Sequence, residues 1–291
     1  MVSRARTREA VTGYLLLTPA LFGVGLFLIV PVFFVLGLSF FEWDLISPPR
    51  WAGFDNFGAI VGDERIRNSF LVTALLVLMV IPTQTVLGLG LALLINQRLP
   101  GSNALRVLYV IPWISAPLAL GVVWKWIFAP SDGVLNELIG HRIEWLSSPV
   151  LALPSVAAVS IWSQVGYVAL FFLAGLNSVP GQIYEAAAID GASARQRFWH
   201  VTVPLLRPTT FFVLVTGIIA SFQLFDTVYA MTGGGPDGAT DVVAARIYAE
   251  AFDSLRLGRA AAIALVLFVI LIGVTLVQQL YFRRRITYDL S

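Results

Sequence analysis

The chain has 291 residues, of which 58% are hydrophobic and only 12% charged, with a formal charge of +2. A soluble domain carries charge on about a quarter of its residues, so most of this chain must face something other than water, and its small net charge leaves no basic patch for nucleic acid. The absence of cysteine excludes disulfides, thiolate metal sites and cysteine nucleophiles.

Six intervals carry no charge: 11–41, 68–97, 107–124, 145–184, 208–225 and 260–282. Each is about as long as, or longer than, the roughly 20 apolar residues that cross a bilayer as a helix. The expectation is an all-α integral membrane protein with six transmembrane helices near 12–41, 69–95, 105–128, 151–176, 209–231 and 259–282, forming one domain over 1–291. The first interval follows Arg4, Arg6 and Arg8. It is too long for the apolar region of a signal peptide and no small-residue cleavage site closes it, so it reads as a retained helix. The connecting segments near 42–67, 129–149 and 232–257 are too short to fold alone.

In the third span Trp113 lies between Pro112 and Pro117, which predicts an irregular helix. Trp124 and Trp126 fit an interfacial aromatic belt. Lys125 beside them is the only lysine. A phosphate-binding loop needs Lys after a glycine-rich turn, and the glycines at 233–235 precede Pro236 instead. They read as a turn, and ATP hydrolysis is expected in a different chain.

Polar side chains are expensive in hydrocarbon and usually face protein or a water-filled cavity. The fourth span carries Ser160, Trp162, Ser163, Gln164 and Tyr167, and the fifth carries Ser221, Gln223 and Asp226. Ser160 and Ser163 also fit simple helix packing. Asp226 lies about 28 Å beyond Arg207 at helical rise, which puts it near the outer surface, where an acid is cheap.

Between these spans, segment 180–208 changes character. Pro180 can begin a helix, and Ile183, Ala186 and Ala187 then share a face. Gly191 suits a left-handed helix end, and Ser193 with Gln196 forms a capping pattern that starts a second helix. Pro204 and Pro208 punctuate the entry to the fifth span. Two short helices hinged at Gly191 result, outside the bilayer. The small residues admit another backbone, and Glu185 and Asp190 can meet a basic partner; an ordinary hairpin packed on its own helices would look similar. Further on, segment 242–252 places Val243, Ile247 and Ala251 on one face, beside Tyr248 and Phe252, as an amphipathic surface helix does.

The charges orient the chain. Eleven of the 19 basic residues (Arg4, Arg6, Arg8, Arg98, Arg106, Arg195, Arg197, Arg207, Arg283, Arg284 and Arg285) fall on one side with four acids, Glu9, Glu185, Asp190 and Asp289. Arg and Lys accumulate on the cytoplasmic side, so both termini and segment 180–208 are expected inside. His141 and His200 then fall on opposite sides, which leaves no metal site and no catalytic pair.

Glu185-Ala-Ala, three residues, Gly191, nine residues, then Val-Thr-Val-Pro204 resembles the EAA signature of ABC importer permeases, with Val201 and Val203 in place of Ile and Leu. Ile111-Pro-Trp113, Ala174-Gly-Leu, Phe225-Asp226 and Thr232-Gly-Gly-Gly-Pro236 extend the likeness to the first permease of carbohydrate and glycerol-phosphate importers. The resemblance implies the type I importer permease fold, with a cytoplasmic EAA coupling helix that docks on an ATPase subunit through Glu185, Ala186, Ala187, Asp190, Gly191 and Pro204. It implies a second permease, two ATPase subunits that hold ATP and Mg, and an extracytoplasmic solute-binding protein, all in a bacterial-type inner membrane. It also implies a solute path along Trp113, Trp162, Gln164, Tyr167, Ser221, Gln223 and Asp226. The expected activity is ATP-driven import of a carbohydrate such as a sugar, oligosaccharide or amino sugar, with glycerol 3-phosphate or glycerophosphodiesters as the alternative cargo. The middle of each span lacks Lys and Arg, which favours a solute that is neutral or cationic where this subunit touches it. An ion-coupled secondary transporter would show inverted repeats and mid-span ionisable groups, and an intramembrane enzyme a nucleophile–base set; the sequence offers none of these.

Overall fold

The structure, a computed structural model, describes residues 2–97 and 101–283. Arg98, Arg284, Arg285 and Asp289, which entered the orientation argument, lie outside these described residues. In chain order the helices are α1 (Val2–Val24), a π turn Gly25–Ile29, α2 (Val30–Leu38), α3 (Asp55–Gly62), α4 (Glu64–Asn96), α5 (Ser102–Ile114), α6 (Pro117–Ile127), α7 (Val134–Ile139) and α8 (Ala152–Ser178). Then follow α9 (Gly181–Ile189), α10 (Ala194–Arg197), a π turn Phe198–Thr202, α11 (Val203–Leu205), α12 (Arg207–Phe222), α13 (Asp226–Met231), α14 (Val243–Tyr248), a π turn Ala249–Asp253 and α15 (Leu257–Arg283). A short antiparallel ribbon, β1 (Phe41–Glu42) with β2 (Arg50–Trp51), is the only sheet among the described residues.

Four helical stretches, Val11–Leu38, Glu64–Asn96, Ala152–Ser178 and Leu257–Arg283, are long and apolar enough to cross a bilayer unaided. Two bent pairs bring the count to six. Arg106–Ile114 and Pro117–Ile127 meet at 102°, and Ala194–Leu205 and Arg207–Phe222 at 62°. The first break has a local cause: Pro117 opens α6 at its first position and pushes Ala116 into an extended conformation (φ −62°, ψ 121°). The fifth span, expected to run unbroken over 209–231, ends as a helix at Phe222 and resumes at Asp226. A distance counted at helical rise along it therefore does not hold as far as Asp226.

The chain divides into two compact units. One comprises 1–63 and 247–267, the other 64–246 and 268–291. In the first unit no residue of Val11–Leu38 is buried, and most of that apolar surface is exposed among the described residues. After it the chain turns through β1 and β2, where Phe40, Trp51, Phe54 and Phe57 pack ring on ring. The Asn56 side chain donates to the carbonyls of Ser39 and Phe41, both at 2.9 Å, and the Leu257 N–H donates to Trp43 O. An ion-pair group joins them. Arg259 pairs with Asp63 and lies 3.6 Å from the buried Glu250, which Arg256 approaches at 3.9 Å.

The second unit is built on α4 against α8. A Cβ at Gly88 would collide with Val168, so the two helix backbones approach as closely as small residues allow. One core cluster gathers Leu76, Val80, Val156, Val159 and Val228, with the Trp124 ring packed against it. Trp124 therefore serves the core, where a belt position was expected; Trp126 is exposed. A second cluster gathers Ala92, Phe172, Leu176, Leu206 and Val213. The turn after α13 is held by Thr232 and Thr240, whose hydroxyls lie 2.7 Å apart, and by Thr240 Oγ1 donating to Gly235 O. Val243 N–H donates to Thr73 Oγ1 of α4, and Arg246 pairs with the buried Asp241.

Candidate functional site

Two features of the second unit combine chemistry with accessibility: a pair of cavities among the membrane helices, and the segment that follows α8. On α8, Ser160, Gln164 and Tyr167 are spaced i, i+4 and i+7, and so form one stripe. On α12 and just past it, Gly217, Ser221 and Leu224 repeat that spacing. The two stripes meet at a cavity of about 230 Å³, which Trp113 and Gln84 also line. A second cavity, of about 290 Å³, shares Trp113, Ser160, Gln164, Ala220 and Leu224 with it and extends to Ser163, Gln223 and Asp226. Among the described residues no lysine or arginine lines either cavity, and Asp226 is the one charged group there.

Six of the seven residues expected on a solute path thus come together: Trp113, Gln164, Tyr167, Ser221, Gln223 and Asp226. Trp162 lines neither cavity. Its ring meets Trp124 edge-on, centroids 5.2 Å apart, because two residues along a helix turn it about 200° from the Ser160–Gln164–Tyr167 stripe. Trp113 stacks on Tyr167 at 4.7 Å and 26°, and the ring contacts continue through Phe171 to Phe212. Ser160 and Ser163 donate to the carbonyls of Val156 and Ser160, so their hydroxyls are satisfied along the helix and still border the cavities.

Gln84 of α4 is the residue that sequence reasoning missed. It is 3% exposed, and its Oε1 has no hydrogen-bond partner among the described residues. A buried polar atom left unpaired costs about 1–3 kcal/mol. The signal was present, since an amide in the middle of an uncharged span obeys the same rule that singled out Gln164.

The segment after α8 is two helices with a defined hinge. Gly191 N–H bonds Ala188 O at 3.1 Å and Ala192 N–H bonds Ala187 O at 2.9 Å, the paired closure of a Schellman end. Gly191 itself has φ +75°, where a Cβ is strained. Ser193 and Gln196 form the reciprocal capping box that starts α10. Pro180 precedes the first helical residue rather than occupying it. The inward face differs slightly from expectation: Ile183, Tyr184 and Ala187 are half-buried, with Tyr184 Oη 3.2 Å from Thr202 Oγ1, while Ala186 turns outward. Beside Ala186 on the outer face stand Glu185 and Asp190, also exposed, and Ile189, 87% exposed. Trp199 adds a further apolar group, 57% exposed. Neither Ile189 nor Trp199 was singled out from the sequence, where an apolar residue in a short helix is indistinguishable from one that packs inward. Among the described residues no ion pair involves Glu185 or Asp190, and no three His, Asp or Glu side chains gather as a metal site would need.

Residues 57–287 match the family of binding-protein-dependent transport system inner membrane components. The chain belongs to that family: it is a multi-pass permease of an ABC transport system. It is 34% identical to an sn-glycerol-3-phosphate transport system permease protein, UgpA, of Agrobacterium fabrum, over 94% of this chain and 96% of that one. It is 32% identical to the trehalose/maltose transport system permease protein MalF of Thermococcus litoralis, over 95% of each. Its fold matches a chain in the crystal structure of a bacterial ABC transporter involved in the import of the acidic polysaccharide alginate, with a TM-score of 0.84 at 22% identity, over 99% of this chain and 100% of that one. The fold is therefore that of a type I importer permease.

Proposed function

We propose that the chain works over its whole length as one permease subunit of an ATP-driven carbohydrate importer. It pairs with a second permease, receives solute from an extracytoplasmic binding protein and is driven by two separate ATPase subunits, which hold the ATP and Mg. Both termini and the α9–α11 segment lie in the cytoplasm, where Glu185, Ala186, Asp190 and Ile189 dock on an ATPase while Gly191 and Pro204 set the angles of the joint; Ala187 packs behind them. Its relatives are divided between sugars and a glycerol phosphate. The observation that favours a sugar is the cavity lining: an aromatic pair, amides and hydroxyls, with no cation to receive a phosphate.

The assembled complex in proteoliposomes with internal ATP should take up maltose or trehalose in preference to sn-glycerol 3-phosphate when presented with its binding protein. A strong preference for the phosphate that survives removal of basic residues from the second permease's cavity would overturn the reading. The chain purified alone should hydrolyse no ATP, and turnover in a preparation shown free of other subunits would remove the need for separate ATPases.

A further inference from the structure

We propose that Gln84 is a solute-orienting residue whose carboxamide oxygen accepts a hydrogen bond from a hydroxyl group of the carbohydrate in the cavity. The proposal rests on that cavity being the solute path. Gln84 lines the cavity beside Trp113, Gln164, Tyr167 and Ser221, yet none of the described residues donates to its buried Oε1. Other polar side chains on the same helix are satisfied: Ser69 and Thr73 are buried and donate to the carbonyls of Ile66 and Ser69, and Thr85 donates to Ile81 O. A helix that settles its hydroxyls internally but leaves one buried amide oxygen unpaired at a cavity wall has left a position for a guest.

The guest's chemistry follows from the atom. A buried carbonyl oxygen requires a donor, and hydroxyl groups donate where an ionised phosphate or carboxylate has only acceptors. The surroundings hold the amide in place. On α12, Gly217 faces it so closely that a Cβ there would sit 2.9 Å from Gln84 Nε2 and 3.2 Å from Ile81 Cδ1. The missing side chain at Gly217 is what gives the carboxamide room.

The test uses the assembled transporter in proteoliposomes and whichever of maltose, trehalose and sn-glycerol 3-phosphate it takes up best. Gln84→Met keeps the length and removes the amide. It should raise KM for uptake by about fivefold or more, the loss of one hydrogen bond to solute, while raising the thermal midpoint of the solute-free complex, because an unpaired buried oxygen is gone. Gly217→Ala should raise KM in the wild-type background and have little effect in the Gln84→Met background, the signature of two residues acting through one contact. A fall in the solute-free midpoint of Gln84→Met would mean that the amide is a satisfied structural group, and would overturn the proposal. So would an unchanged KM in Gln84→Met when Gln164→Ala and Tyr167→Ala both raise it. If none of these substitutions moves KM, the cavity itself is not on the solute path, and the reading on which the proposal rests falls with it.

Discussion

Two acid-bearing regions of the chain are handled in opposite ways. At the start of α15 two acids are paired with arginines: Glu250 is 6% exposed and faces Arg256 and Arg259, and Arg259 also holds the half-buried Asp63. In the segment after α8, Glu185 and Asp190 stand exposed, without an ion pair among the described residues, next to the bare apolar groups Ile189 and Trp199. A buried charge must find its partner within the fold, since desolvation leaves it nowhere else to go. An exposed charge keeps its hydration and needs no partner within the fold. The first arrangement ties parts of the chain together; the second is the surface proposed above to face an ATPase subunit.

The largest effect should come from breaking the enclosed group. Arg259→Met removes the cation shared by Glu250 and Asp63 and should destabilise the chain by about 3–5 kcal/mol, as losing one member of a buried pair does. Thermal unfolding in nanodiscs would measure it, and adding Glu250→Gln with Asp63→Asn should restore much of the loss. A near-neutral Arg259→Met would mean that water, not the arginine, satisfies those carboxylates, and the contrast between the regions would vanish.

At the exposed segment the expected pattern is reversed, with small changes in stability and large ones in transport. Glu185→Lys should alter stability by no more than about 0.5 kcal/mol, as for other surface changes, and still cut ATP-driven uptake by reversing a charge at the joint. Gly191→Val places a β-branched residue at φ +75°, costs about 1–2 kcal/mol of local strain, and misdirects α10. Its uptake should fall further than that of Glu185→Lys while the chain still inserts. Wild-type uptake in both variants, at equal protein levels, would remove the docking role from this segment.

The two regions were not equally legible in the sequence. The segment after α8 could be read almost residue by residue, because its information is local: a glycine at a helix end, a serine and glutamine three apart, and prolines at the next entry. The ion-pair group could not be read, since Asp63 and Arg259 are 196 positions apart and only the fold brings them together. The membrane helices fall between these cases. Long uncharged intervals announced them, and Pro112 and Pro117 marked the break in the third span, but nothing marked the break after Phe222 in the fifth. Trp162 was set beside Gln164 because both lie in one span, although helical geometry alone turns them apart. Gln84 went unnoticed on a span that offered no second polar cue near it except threonines.

The smallest effect, and the finest test of the same contrast, concerns two aspartates in connecting segments. Asp241 is buried, and burial pushes its carboxyl above the ordinary value of 3.8, against the hydrogen bond and charge of Arg246. Asp44 is exposed, and the backbone N–H groups of Ser47 and Ile46, at 2.7 and 3.0 Å, pull its carboxyl below 3.8. Linkage then gives opposite slopes. The folded state holds the Asp241 proton more tightly than the unfolded one does, so this contribution is complete below 3.8 and is lost as pH rises through the raised value. For Asp44 the contribution is complete above 3.8 and is lost as pH falls through the lowered value. Unfolding midpoints measured between about pH 2.5 and 6 should therefore show Asp241→Asn removing a component of stability that declines with pH, and Asp44→Asn removing one that rises with pH. If both substitutions remove a component of the same sign, burial is not what distinguishes the two carboxylates.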